Sequence, residues 1–348
     1  VRAGGGDSQT DKNFNVNRLN APAGSTIATG FALRNLGAEA TPIDPDLKPQ
    51  TVNEASAGLE YEIVKDLALS FRGVYRTQGS VIEDGSFDDG NSYFLFNPGE
   101  SLTERLACAD PTIGCFGRAR RYYRAFEISA TKRFTNNYQF IASYVYSSLI
   151  GNYEGLFRND NGQSDPNITS LFDLVSLLTN QYGRLPNDRP HVFKFNGSYR
   201  TPWKGLVVSG NFYAQSGNPF NQLIPHPVYG NNEGFAVQRG TAIVPDVGAT
   251  IPGGSSGVES AIGSTRAPFT TNLDLGAYMP IKVGENKELR FTADWFNVFN
   301  NQRALTLDQT YSLNSGVSGV PPVLNPFYGS GLIFRFPSYW RFGARFQF

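Results

Sequence analysis

Residues 339–348 of the chain read YWRFGARFQF, and this stretch decides the fold. Aromatic side chains at Trp340, Phe342, Phe346 and Phe348 alternate with Arg341, Arg345 and Gln347. Successive side chains of a β-strand point to opposite faces, so this alternation predicts a strand with one aromatic face and one polar face. Such a strand suits the wall of a membrane barrel, where alternate residues meet lipid.

The same period of two recurs throughout the chain. In residues 288–299, for example, apolar Phe291 and Trp295 alternate with Arg290, Thr292 and Asp294. A tilted strand needs about 9–11 residues to cross the hydrocarbon, and most of these stretches reach that length. With the last stretch they make nine predicted strands, the other seven being 57–63, 67–78, 122–134, 138–149, 191–201, 205–216 and 269–281.

The connections between these stretches are alternately short and long. Long loops without regular structure are uncommon in compact soluble domains, whereas membrane barrels have short turns at one end and long loops outside. The pattern predicts residues 51–348 to be transmembrane strands and residues 1–50 to be an extracellular loop region. The short connections are 64–66, 135–137, 202–204 and 283–287; the long extracellular loops are about 83–120, 151–190, 217–267 and 300–338.

Composition excludes some classes of protein. Lys and Arg together number 30, as do Asp and Glu, so there is no net charge to attract nucleic acid. No apolar run approaches the roughly 18 residues of a membrane helix. A soluble β-protein is the alternative that composition alone leaves open. The polar start, VRAGGGDSQTDKNF, lacks the apolar segment of a signal peptide, so we expect the sequence to begin in the mature protein or in mid-protein.

Two cysteines, Cys108 and Cys115, are close together in the segment CADPTIGC. In an oxidising compartment this spacing predicts a disulfide in a long loop. Two free thiols are the alternative. A metal site is not favoured, because no His and no second pair of Cys lies near these two cysteines in the sequence.

Four segments resemble the C-terminal part of a TonB-dependent outer-membrane transporter. The likeness is strongest to the Oar-like branch, whose members carry a carboxypeptidase-regulatory-like N-terminal domain, and it covers residues about 45–348. The segments are RAFEISATKRFTNNYQFIASYVYSSLIGNYEG (124–155), GRLPNDRPHVFKFNGSYRTPW (183–203), LRFTADWFNVFNNQ (289–302) and YWRFGARFQF (339–348).

The resemblance implies the fold and the activity. The family's barrel has about 22 strands around a plug, so this chain is expected to supply the C-terminal nine of a larger all-β antiparallel barrel. Neither a plug nor the TonB box near its start is expected on this stretch of sequence. The family imports a scarce solute when energised through a TonB-type coupling protein. Expected partners are outer-membrane lipid, the N-terminal remainder of the barrel with its plug, the coupling protein and the barrel-assembly machinery. A structural or adhesive surface barrel and a passive pore are the alternatives.

The nine strands are not expected to close a barrel alone. Bacterial single-chain barrels normally have an even number of strands. Unpaired edges in lipid would leave backbone groups without hydrogen bonds, each at several kcal/mol. We therefore expect the first and last strands to pair with other polypeptide.

The alternation also nominates functional residues. The C-terminal strand, with Trp340, Phe342, Phe346 and Phe348, resembles the signal read by the barrel-assembly machinery; any amphipathic terminal strand is the alternative. The polar faces of the strands predict a solute-contacting lumen, against the alternative of a merely hydrated wall. Its candidates are Arg72, Glu127, Lys194, Asn196, Asp274 and Asp294.

One loop carries oxygen ligands around Gly162 in the segment NDNGQSDPN. Closely spaced carboxylates and amides at a glycine turn suit a structural Ca²⁺, and the ligands here would be Asn159, Asp160, Asn161 and Asp165. A solvated turn is the alternative, because the spacing is not that of an EF-hand. No other cofactor is expected. With two His residues and no nucleophile motif, the chain is not expected to be an enzyme.

Overall fold

A computed structural model describes residues 42–348 except 88–89, 91, 110–113, 156, 164–168, 228–229, 248–256, 285–286 and 315–320. The described part contains sixteen strands, one short helix and three 3₁₀ turns. None of its helices has the length and apolar character needed to cross a bilayer. The strands are β1 (Val52–Val64), β2 (Leu67–Gln78), β3 (Glu83–Gly85), β4 (Phe94–Phe96), β5 (Arg121–Thr135), β6 (Tyr138–Gly151), β7 (Gly183–Arg184), β8 (His191–Arg200), β9 (Val207–Gln215), β10 (Leu223–His226), β11 (Gly230–Phe235), β12 (Thr270–Lys282), β13 (Glu288–Phe296), β14 (Ala304–Leu307), β15 (Gly331–Phe334) and β16 (Tyr339–Gln347). The helix is α1 (Leu102–Cys108), and the 3₁₀ turns are Ser170–Phe172, Val175–Leu178 and Glu259–Ala261.

Nine long strands form one antiparallel sheet in the order β1-β2-β5-β6-β8-β9-β12-β13-β16, with β7 added beside β6. Each strand pairs with the next long strand in the chain, so the connectivity is up and down. All nine strands predicted from the alternation are confirmed, as is the all-β antiparallel class.

The register separates the sheet into an apolar outer face and a polar inner face. One outer row runs across the strands as Leu59, Phe71, Ile128, Tyr144 and Phe193. The next row along is polar where Arg72 lies opposite Glu127. Large apolar side chains on the outer face are exposed, with Leu59 67% and Phe342 74% accessible. Such a surface is unfavourable in water and favourable in hydrocarbon, so the outer face is the lipid face.

The short turns all lie at one end of the sheet. The two residues between β5 and β6, Asn136 and Asn137, have φ of 52° and 67°. Two consecutive positive φ values make a type I′ turn, whose twist matches that of the flanking strands. Asp66 and Lys204 take the same left-handed conformation in their turns. These turns fix the hairpin registers and so fix which residues face inwards.

Four long loops lie at the other end: L1 (79–120), L2 (152–190), L3 (216–269) and L4 (297–338). They are more ordered than the loops expected from the sequence, because short hairpins form between β3 and β4, β10 and β11, and β14 and β15. L1, L2 and L3 share a hydrophobic core built around Phe94, Phe96, Phe116, Leu171 and Phe235. L3 and L4 share a second core, built around Phe220, Val244, Ala304 and Leu307. The buried core of the described protein therefore lies mainly in its loops.

Both edges of the sheet are open in the part of the chain that the structure describes. There β1 pairs only with β2 and β16 only with β13. Every residue of both edge strands is exposed. Within the described residues the nine strands thus form an open sheet and do not close a barrel alone, as expected from their odd number.

Candidate functional site on the inner face of the sheet

The inner face of β1, β2 and β5 holds a cavity of about 660 Å³ near the long-loop end. Its polar lining includes Glu54 from β1, Arg72 and Arg76 from β2, and Arg121 and Glu127 from β5. Asn187 reaches it from L2. Every strand residue named here has the parity of the polar face, so the alternation itself places these charges together.

The charges in this cavity are only partly paired. Arg76 Nε donates to Glu54 Oε2 at 2.6 Å, and Arg72 Nη2 lies 3.6 Å from Glu54 Oε1. Glu127 stands opposite Arg72 in the register. Arg121 has no ion-pair partner among the described residues. Three arginines against two glutamates leave an excess positive charge, which suits an anionic group.

Sequence reasoning found part of this cavity. The structure brings together Arg72 and Glu127, both predicted lumen residues. The sequence prediction missed Glu54, Arg76 and Arg121. These three residues lie near the strand ends, and only the strand register brings them close together.

The other predicted lumen residues lie elsewhere on the same inner face. Lys194 and Asn196 are on β8, where Asn196 stands opposite Asn211 of β9. Asp274 Oδ1 accepts from the Asn297 backbone N–H at 2.9 Å. Asp294 accepts two hydrogen bonds from Arg341, at 2.9 and 3.1 Å. The two aspartates therefore also support the wall, and a solute role for these four residues stays a prediction.

The predicted calcium ligands lie in L2, within a network of charges. Asp160 Oδ1 is 2.8 Å from Arg158 Nε, and its Oδ2 is 2.8 Å from Arg239 Nη2. Asn161 Oδ1 accepts from the Gln163 backbone N–H at 3.0 Å. Asn159 donates its backbone N–H to Glu154, and Asp165 lies outside the described residues. Within the described ranges no three His, Cys, Asp or Glu side chains are grouped to hold a metal. The calcium site stays a prediction.

The charge network ties L2 to L3. Arg158 and Arg239 are both fully buried. Arg158 Nη1 contacts Glu233 at 2.7 Å, and Arg239 also contacts Glu154. The ring of Phe235 lies 5.3 Å from the Arg158 guanidinium and 5.0 Å from that of Arg239. This network could not be found from the sequence, because paired members are up to 85 positions apart.

Within L1 a disulfide joins Cys108 to Cys115, which confirms the predicted bond. The adjacent helix α1 buries Glu104, which accepts a hydrogen bond from the Gly99 backbone N–H. Burial raises the pKa of Glu104 to about 8. Burial also raises the pKa of Glu83 well above its usual value, although the Thr169 backbone N–H donates to it at 2.9 Å. L1 therefore holds two buried carboxyl groups whose pKa values are raised by burial.

The predicted assembly residues lie on the lipid face of β16 and just beyond it. Trp340 stacks on Trp295 with ring centroids 4.8 Å apart and on Phe342 at 5.8 Å. Phe348 is 91% exposed. Recognition by the assembly machinery stays a prediction.

Comparison with known proteins agrees with this architecture. The family model described as "Outer membrane beta barrel domain" matches residues 4–317. The "TonB-dependent transporter Oar" of Myxococcus xanthus is 35% identical over 276 residues, which are 78% of this chain and 23% of that protein. The chain thus spans about a quarter of the length of this relative.

Two solved structures are similar at lower identity. The ferric-catecholate import receptor Fiu of E. coli K12 is 15% identical, over 86% of this chain and 28% of that chain, with a TM-score of 0.44. The outer membrane transporter YddB of Escherichia coli is 15% identical, over 87% and 33% respectively, with a TM-score of 0.43. The Oar relative is a transporter, in agreement with the expectation that the chain is not an enzyme. The chain belongs to the outer membrane beta barrel domain family of the bacterial outer membrane, and its sequence is similar to part of the TonB-dependent transporter Oar.

Proposed function

We propose that this chain forms part of the wall of a plugged outer-membrane barrel that imports an anionic solute with energy from a TonB-type coupling protein. The 35% sequence identity to the Oar transporter supports TonB-dependent import as the mode of transport. The observation that carries the substrate class is the positively charged cavity on the inner face, close to the long loops.

The cavity offers specific contacts for an anion. Arg76 is held by Glu54, so its charge is largely neutralised. Arg121 has no ion-pair partner in the described part of the chain, and Arg72 shares Glu54 at the longer distance of 3.6 Å. A planar guanidinium can donate two parallel hydrogen bonds to a carboxylate or phosphate. Arg121 and Arg72 are therefore the residues proposed to contact the solute.

The open edges imply the remainder of the barrel as a partner. Backbone groups of β1 and β16 that face lipid would each be left without a hydrogen bond, at several kcal/mol per group. Further strands of the same receptor are proposed to pair with both edges and to enclose the plug. The lumen would then be bounded by this inner face on one side.

The test uses the full-length receptor in the outer membrane of the bacterium that makes it. Depletion of anionic compounds from the medium is followed by untargeted mass spectrometry in strains with and without the receptor, each with and without a proton-motive-force uncoupler. The proposal predicts an anionic compound whose depletion needs both the receptor and the energised inner membrane. Depletion that persists with the uncoupler indicates a passive pore, and no depletion indicates a structural or adhesive barrel.

The substrate class is tested separately by substitution. Replacing both Arg121 and Arg72 with Gln removes the two proposed contacts, each worth about 1.5–3 kcal/mol as a charged hydrogen bond. The half-saturating concentration should rise at least about tenfold. Arg200→Gln, at the short-turn end, is the matched control and should leave uptake unchanged. An unaltered half-saturating concentration in the double variant would remove these arginines from the solute site.

A further inference from the structure

A groove of about 650 Å³ runs along the lipid face of β1, β2, β5 and β6. Small residues, Ala55, Ala57 and Gly73, form its floor, and larger aromatic side chains flank them. A Cβ atom built on Gly73 would find its nearest heavy atom, the Ala57 carbonyl oxygen, 3.9 Å away. The groove is therefore open space on a surface that faces hydrocarbon, and its width comes from small side chains.

A polar pocket of about 370 Å³ adjoins the groove towards the long loops. It is lined by Asn53, Thr77, Tyr122 and the arginines Arg118 and Arg120. Thr77 lies two positions from Tyr75 of the groove on β2, so both share the outer face. Neither the pocket nor the groove is lined by a carboxylate. Together they make one site with a polar upper part and an apolar lower part.

Two of the three arginines of this site, Arg120 and Arg124, carry charge that the described protein leaves uncompensated. Arg124 lies in the groove with its guanidinium 5.8 Å from the Tyr75 ring centroid. Neither Arg124 nor Arg120 has an ion-pair partner among the described residues. Arg118 pairs with Glu100 at 2.9 Å, and that carboxylate is shared with Lys48. An unpaired arginine on a lipid face is unfavourable by up to about 2–4 kcal/mol, depending on depth, unless an anion compensates it.

We propose that this site binds a membrane lipid whose headgroup carries a phosphate monoester. An acyl chain lies in the groove over Gly73 and Ala57. The phosphate lies between Arg120 and Arg124, whose guanidinium groups match its oxygen atoms. The occupant is a lipid of the leaflet at the long-loop end, because the polar pocket continues into a groove that only hydrocarbon can fill favourably.

The test titrates the purified full-length receptor in detergent and counts bound molecules by native mass spectrometry. Three probes separate the contributions: phosphatidic acid, diacylglycerol with the same chains, and glycerol 3-phosphate. Phosphatidic acid should bind, while the other two should neither bind nor displace it at equal concentration. Equal binding of diacylglycerol would overturn the role of the phosphate, and equal binding of glycerol 3-phosphate would overturn the role of the groove.

Two variants test the two halves of the site. Replacing Arg120 and Arg124 with Gln should weaken the binding of phosphatidic acid about fivefold per arginine, or about 25-fold for both together. Gly73→Leu fills the groove without changing any charge and should also weaken binding. Replacing Arg200 and Lys204 with Gln removes the same charge at the short-turn end and should change nothing. All variants must keep heat-modifiable electrophoretic mobility. Folded Arg120/Arg124 or Gly73 variants that bind like the unaltered receptor would refute the site.

Discussion

The buried charges that join L2 to L3 allow a sharp prediction about loop stability. Replacing Arg239 with Met keeps the apolar stem and removes a guanidinium that is fully buried. Its contacts to Asp160, at 2.8 Å, and to Glu154 are then lost. Both carboxylates stay buried, and Glu154 loses its ion-pair partner.

The magnitude follows from the burial. Removing one member of a buried ion pair destabilises by about 3–5 kcal/mol, because the remaining charge is desolvated without compensation. Asp160 still has Arg158 as an ion-pair partner at 2.8 Å. We therefore expect a destabilisation in the lower half of the range. Neutralising the stranded carboxylate as well, in Glu154→Gln with Arg239→Met, should recover part of the loss.

Hydrogen exchange read by mass spectrometry measures the effect, because opening of the loops exposes their amides without unfolding the sheet. Protection of peptides in L2 and L3 should fall by roughly two to three orders of magnitude in Arg239→Met. Protection in β5 and β6 should not change. The reasoning fails if the protection of L2 and L3 in this variant matches that of the unaltered receptor.

A matched control comes from a surface pair. Arg105 and Asp46 lie 2.9 Å apart, with side chains 57% and 51% exposed. Exposed pairs contribute about 0–1 kcal/mol, so Arg105→Gln should change protection by less than about fivefold. A similar loss in both variants would mean that burial does not set the energy of the network.

Three further predictions concern L1 and the sheet edge. Because burial raises the pKa of Glu104 from its usual 4.5 to about 8, its contribution to the stability of L1 is complete below pH 4.5 and is lost as pH rises through about 8; Glu104→Gln should reduce the pH dependence of hydrogen exchange in L1, to which Glu83 also contributes, and an undiminished dependence would assign it to Glu83 alone. Replacing Cys108 and Cys115 with Ser should lower the stability of L1 by about 2.5 kcal/mol through lost loop-closure entropy, while thiol labelling of the unreduced, denatured receptor, read by peptide mass spectrometry, should leave Cys108 and Cys115 unlabelled; labelling of both would contradict the bond. Phe346→Ser, on the lipid face of β16, should reduce the heat-modifiable folded fraction, whereas Gln347→Ser, on the inner face, should not; equal folded fractions would argue against the lipid-face role.

The strands could be predicted from the sequence because the alternation within each strand indicates which side chains face outwards and which face inwards. Phe291 and Trp295 alternate with Arg290 and Asp294 within one strand, so no distant contact is needed to place them. Arg72 and Glu127 are likewise placed on the inner wall by the alternation within their own strands. Finding Glu54 beside Arg76 needed the register of the hairpin, which Asp66 and the neighbouring turn residues determine.

The loop core could not be predicted in the same way. Phe94 and Phe96 of L1 lie in a strand too short to show a period, and they pack with Leu171 of L2 and Phe235 of L3, which are distant in sequence. Arg158 and Glu233 are 75 positions apart, and each taken alone resembles a solvated loop residue. Contacts of this kind depend on tertiary packing, which a single sequence does not encode locally.

The loop contacts also bear on how such a receptor can acquire a new specificity by recombination. Glu83 of L1 receives the Thr169 N–H of L2, Arg158 of L2 binds Glu233 of L3, and Gln309 of L4 accepts the Asn221 N–H of L3. A crossover that replaces one loop brings in only one partner of each contact. The other partner, in the neighbouring loop, is then left without its hydrogen bond or ion pair. Viable exchanges therefore have to carry neighbouring loops together, so the inherited unit of diversification is a block of hairpins.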